Sequence, residues 1–346
     1  MPVLSAADAI SPAIYRTRQF LFAPPFRWGT FLKLCLVAAI TEGLGSNFRS
    51  SGNNGRHAPS STPGDFPFHP SPEMIAAGIA MVALIIVIAL FIAYLVTRLR
   101  FAYFHCLVNN ERQIRPGWDL YRMQARRFFL MNIAVGVCFL LIIGVIALPF
   151  VAGFWHFFQG MHGGRGPNWA LLISLVVPLI PLIFLIAVVG LMVDIVLRDW
   201  MLPHYALEDA TAGDAWHAVW TRIKDEKRQF FVYSILRLIA PIVAFFVLAI
   251  LLIIPSLVSI GAVGAAEYAI HSAFASSTGS ANVAGIALEV FIGFLAFAFA
   301  VVVSISLGGP LSTGLREYAL LFYAGRYQPL ENALFPPSSA AGIATP

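Results

Sequence analysis

Long apolar runs alternate with short, polar and mostly basic connections along the whole chain. A helix needs roughly 20 apolar residues to cross a hydrocarbon core about 30 Å thick. Residues 74–97, 128–155, 168–196, 230–260 and 284–309 meet that length, and only Asp194, Arg237 and Glu289 put charge inside them. A sixth run, 28–44, is weaker, with Lys33 inside one end and Glu42 inside the other. The long stem of Lys33 can carry its ammonium back to the interface. The pattern predicts an all-α, polytopic membrane protein: one domain over residues 1–335 with six transmembrane helices. The outer loop 45–72, rich in Gly, Ser, Asn and Pro, and the tail 336–346 have nothing to bury and are expected to be disordered.

Charge orients the runs. Arg16, Arg18, Arg27 and Lys33 precede or enter the first run, seven arginines lie in 98–127, five basic residues lie in 197–229, and Arg316 and Arg326 follow the last run. That places eighteen of the twenty-two Lys and Arg on one side, against Arg49, Arg56 and Arg165 on the other. The basic side of a multi-span protein faces the cytoplasm. Both termini are therefore expected inside a bacterial-type inner (plasma) membrane, and the alternation requires 28–44 to cross.

The two long cytoplasmic connections share a layout. An arginine follows each span (Arg100, Arg198), and a tryptophan comes eighteen residues later (Trp118, Trp216). Trp216, Val219, Trp220 and Ile223 fall at helical spacing on one face, as do Trp118, Tyr121, Ala125 and Phe128. Amphipathic interfacial helices in the inner leaflet are expected here, anchored by Trp118, Tyr121, Trp216 and Trp220 at head-group level. Ser11 and Pro12 open a looser version near the N-terminus, and Leu315, Tyr318 and Phe322 repeat the theme after the last span. An internal repeat of helical hairpins and convergent interface chemistry both fit the layout.

Composition sharpens the choice of solvent. Hydrophobic residues make up 59% and charged residues 11%, with a mean hydropathy of +0.80. Soluble domains carry roughly 25% charged residues, so lipid is the expected surroundings. The net charge of +5 and pI of about 9.3 point to anionic lipid head groups as the partner, because no nucleic-acid-binding signature is present. Cys35, Cys106 and Cys138 read as apolar packing residues. Residues 1–27 hold no apolar signal core, so the first span is expected to act as its own uncleaved signal.

Ionisable groups at membrane depth are costly and mark candidate sites. They are Lys33, Glu42, Asp194, Arg237 and Glu289. Asp194 and Arg237 lie near the cytoplasmic ends of consecutive spans and are expected to pair, fixing helix register. Glu289 has no evident basic partner and is a candidate for binding an ion or proton. Pro149, Pro178, Pro181, Pro241 and Pro255 fall in spans, where neighbouring helices commonly re-satisfy the backbone. His57, His69, His156, His162 and His271 are scattered without metal-ligand spacing, so no metal or other cofactor is expected. The segment 162–166 (HGGRG) links two spans rather than a strand and a helix, against a phosphate cradle. No GxSxG, HExxH, paired-Cys or P-loop pattern supports an enzyme.

Several blocks carry a family resemblance: RTRQFLFAPPFRWGTFLKL (16–34), the middle block 99–129, LRDWMLPHYALEDATAGDAWHAVWTRIKDEKRQFF (197–231) and GGPLSTGLREYALLFYAGRY (308–327). Over most of 11–335 the chain resembles an uncharacterised bacterial family of six-span membrane proteins. More distantly, it looks like the membrane domain fused to some bacterial glycerophosphodiester phosphodiesterases. Those enzymes carry their chemistry on a soluble barrel for which this chain has no room. The resemblance implies a membrane module without the enzyme. The expected function is a non-catalytic integral membrane protein that organises or partners envelope components. The alternative is a small transporter or flippase working through proline-broken spans with Glu289 or the Asp194–Arg237 pair, and a membrane-embedded lipid enzyme comes third.

Overall fold

The computed structural model describes residues 3–43, 72–162, 169–274 and 280–336, and every regular element among them is helical. A short helix α1 (Ile10–Phe22) is followed by α2 (Trp28–Ala38), which ends in a π-helical turn, Ala39–Gly43. Then come α3 (Pro72–Val108), a one-turn α4 (Arg115–Leu120) and α5 (Arg122–His162). Helix α6 (Trp169–Ile195) runs through a second π-helical turn, Val196–Met201, into α7 (Leu202–Leu207). The chain closes with α8 (Ala212–Asp225), α9 (Lys227–Phe274), α10 (Ser280–Ala324) and α11 (Gln328–Leu334).

Six stretches among the described residues are long and apolar enough to cross a membrane: 72–108, 122–159, 169–207, 227–250, 252–274 and 283–324. The fold is that of an all-α, multi-pass membrane protein. The fourth and fifth stretches follow one another within the single 48-residue helix α9. The apolar runs keep large side chains outward, with Ile85 57%, Leu141 66% and Ile254 73% exposed. Such surfaces are stable only against lipid or another apolar partner. Helices α5 and α6 run through Pro149, Pro178 and Pro181 without a break.

The core lies at one end of the bundle. Helices α3, α6 and α10 finish there and α5 and α9 begin there, as antiparallel contacts show: Tyr233 stacks on Tyr318 and Trp200 meets Phe230 edge-on. Phe101, Phe104, Phe128, Tyr205, Phe322 and Tyr323 are buried in it. Residues 98–108, expected as connection, are helix instead, because Phe101, Phe104, Cys106 and Leu107 turn into this core. The same cause extends α10 through Pro310 to Ala324. Residues near both ends of the chain join the core: Tyr318 donates to the Ala6 carbonyl at 2.9 Å and Arg326 to the Leu4 carbonyl at 3.1 Å.

One expected span takes a different form. Helix α2 has 11 residues and its π turn 5, fewer than a straight crossing takes. Cys35 sits directly on Gly309 and Glu42 reaches Arg316, so α2 lies along α10 in the same direction, toward the core end. Its apolar residues are used against protein: Phe31, Leu34, Cys35, Val37 and Ala38 are buried. Helices α3, α5, α6, α9 and α10 each run between the two ends of the bundle. The expected disordered segments 45–72 and 336–346, apart from Pro72 and Pro336, lie outside the described residues.

The α2–α10 contact makes a sharp prediction. A side chain at Gly309 would collide with the backbone and side chain of Cys35, whereas one at Gly308 meets nothing within 4 Å. Gly309→Leu is expected to lower stability by about 1–3 kcal/mol or more, and Gly308→Ala to hold or raise it. Thermal unfolding midpoints of the two detergent-solubilised variants check this.

Candidate functional site

The two π-helical turns face one another inside the core end, and they build the site. A helix leaves its last carbonyls without intrahelical donors, and the turn ending at Gly43 leaves the Thr41 carbonyl open. Two arginines take it: Arg100 Nε from α3 at 3.0 Å and Arg198 Nη2 from the second π turn at 2.9 Å. Next along the chain, Glu42 receives Arg198 Nη2 at 2.7 Å and Arg237 Nη2 at 3.3 Å, with Arg316 Nε at 4.0 Å. The second π turn turns both Arg198 and its neighbour Asp199 inward. Asp199 receives Arg237 Nε at 3.0 Å, Arg316 Nη1 at 3.1 Å and the Tyr233 hydroxyl at 2.8 Å. Arg316 Nη1 also donates to the Arg198 carbonyl at 2.7 Å.

Almost none of this meets solvent: the side chains of Glu42, Asp199 and Arg316 are 5%, 1% and 3% exposed. Charges this deep are stable only when paired and hydrogen-bonded. Each cation here is a guanidinium, which keeps its proton and presents several donors in a planar fork.

Satellite contacts surround the cluster. Arg16 Nε approaches Glu317 at 3.1 Å and its Nη2 donates to the Leu107 carbonyl at 2.7 Å, tying α1 to α3 and α10. Tyr103 donates to Thr313 at 2.7 Å. His204 lies between Glu208 at 3.1 Å and the Tyr323 hydroxyl at 2.8 Å. Burial works against the Glu208 carboxylate most strongly of any one influence, yet its hydrogen bond with His204 and the nearby His204 and Arg222 charges together hold it below the ordinary carboxylate value.

The sequence candidates divide. Glu42 and Arg237 are in the cluster, and Arg237 pairs with Asp199 and Glu42 instead of the expected Asp194. Asp194 pairs with Arg198 at 2.8 Å and keeps 47% of its side chain exposed, because it lies one turn before the π turn that swings Arg198 and Asp199 inward. Glu289 does have a partner: His271 Nδ1 on α9 at 3.4 Å, far from the cluster. Lys33 is exposed on α2. Trp216 and Trp220 stack with ring centroids 5.9 Å apart and remain 49% and 44% exposed. Tyr121 is no interfacial anchor: it is buried against Phe101 and His105. Trp118 is half-buried with the Arg98 guanidinium 4.2 Å from its ring. The face formed by Tyr121, Ala125 and Phe128 points into protein. Among the described residues no group of three His, Cys, Asp or Glu is arranged to hold a metal.

The cluster members missed by sequence reasoning are Arg198, Asp199, Arg316 and Arg100. Arg198 and Asp199 form an adjacent pair followed by the apolar and aromatic stretch WMLPHY, and that was the available signal. A solvated loop has no need of such a stretch.

The family model for a family of unknown function, DUF7544, matches residues 4–332, so the chain belongs to that family. No curated protein and no solved structure matches it.

Removing one member of a dry charge cluster strands its partner, at a cost of about 3–5 kcal/mol. Arg237→Gln and Asp199→Asn are expected to lose that much stability or fail to accumulate in membranes, while Asp194→Asn is expected to lose less than about 1 kcal/mol. Exchanging the charges of Asp194 and Arg237 should rescue nothing, since the two are not partners. Expression level and unfolding midpoint distinguish these outcomes, and recovery in the exchange variant would contradict the pairing.

Proposed function

We propose that this protein is a non-catalytic membrane module that organises or partners other components of a bacterial inner membrane, working from its arginine-rich end. One observation carries the reading: the deep carboxylates Glu42 and Asp199 are held by Arg198, Arg237 and Arg316 in an interlocked set. Such a set favours one rigid arrangement over a site that loads and releases cargo. At the edge of that rigid end, Trp216 and Trp220 stay half-exposed on α8, which is anchored along the adjoining side by buried Ala215 and Val219. Exposed aromatics on a rigid support suit partner contact. The likeness in layout to the membrane domains fused to some bacterial phosphodiesterases also supports a module.

The basic residues gather at the core end, which supports a cytoplasmic placement of that end and of both termini. Reporter fusions after Asn110 and Thr211 are expected to read inside, and one after His162 outside. Photocrosslinkers at Trp216 and Trp220 in native membranes should trap a discrete protein species. Crosslinks to lipid alone at both positions would sink the partner reading while leaving the topology intact.

A further inference from the structure

The start of α5 combines features that the charge cluster leaves unused. Arg122 and Arg126 lie one turn apart, both exposed, and neither has a carboxylate or carbonyl partner among the described residues. Their neighbour Arg127, by contrast, pairs with Asp209 at 3.2 Å. Residues one turn apart on a helix share a face, and this face continues through Leu130, Val137, Leu141 and Val145. Those four are 56%, 49%, 66% and 68% exposed. One stripe therefore runs from two unpaired guanidiniums directly onto open apolar surface, at the point where the polar connection becomes a spanning helix.

We propose that this stripe binds one anionic phospholipid, with Arg122 and Arg126 on the phosphate and an acyl chain along Leu130, Val137 and Leu141. Guanidinium groups match phosphate oxygens in charge and geometry. Two cations held on one face of a helix retain a head group better than the same charge spread over a leaflet. The proposal rests on the membrane reading above but not on any protein partner. It distinguishes these two arginines from Arg16, Arg112 and Arg326, which are committed to backbone carbonyls.

The test uses the purified full chain in a non-ionic detergent, titrated with phosphatidylglycerol or phosphatidylcholine, with bound lipid counted by native mass spectrometry. The double variant Arg122→Gln/Arg126→Gln is expected to bind phosphatidylglycerol about tenfold more weakly. Its phosphatidylcholine binding and unfolding midpoint should be unchanged. Arg18→Gln/Arg228→Gln removes the same charge from two other exposed arginines and should leave binding within about twofold of the parent. Equal weakening in that control, or no weakening in the first variant, overturns the site. Displacement of the lipid by an excess of inorganic phosphate would overturn the acyl half, because a bare anion cannot compete for an apolar stripe.

Discussion

Glu42 and Asp199 bring two negative charges into a place where neither water nor lipid head groups reach them, and three guanidiniums meet them there. An unpaired ion in such surroundings is unfavourable by several kcal/mol, so no member can move without displacing the rest. The constraint reaches through the whole core end. Glu42 belongs to the turn after α2, Asp199 to the turn after α6, Arg237 to α9 and Arg316 to α10, so fixing the charges fixes four segments relative to one another. The aromatic packing of Tyr233, Tyr318 and Phe322 then fills the space that this register defines.

A shared carbonyl gives the repeated layout of the two basic connections a physical meaning. Arg100 and Arg198 occupy the same place in that layout, and both donate to Thr41. Helix α3 and the π turn after α6 thus present equivalent arginines to the end of one short helix. The equivalence stops there: Arg198 is followed by Asp199 in a π turn, while Arg100 continues an ordinary helix into Phe101. The extra residue accommodated by the π turn lets two adjacent side chains face the core together.

Hydropathy and charge made the apolar helices and the grouping of basic connections at one end legible, because both follow from what lipid tolerates. The core end was not legible in the same way. Residues 98–108 and 197–207 carry charges at a spacing that fits solvated loops, and only three-dimensional pairing makes their burial favourable. Helix α2 misled for the converse reason: WGTFLKLCLVA is apolar enough for lipid, yet its apolar face is used against α10. The expected Asp194–Arg237 pair had the correct helices and depth. It failed because the π turn after Ile195 changes which side chain faces inward, and no sequence period reports such a turn.

The first residues of the chain are finished by the last. Leu4 and Ala6 give their carbonyls to Arg326 and Tyr318, and Glu42 shares its arginines with Arg316. A ribosome adding about 5–20 residues per second needs roughly 15 seconds to a minute between making α1 and making its partners. Through that interval Glu42 waits for Arg198, then Arg237, then Arg316, in the order they leave the ribosome. The N-terminal helices are thus first to be synthesised and last to be locked, and a chain cut short before Arg316 would leave them for the membrane's quality control to recognise.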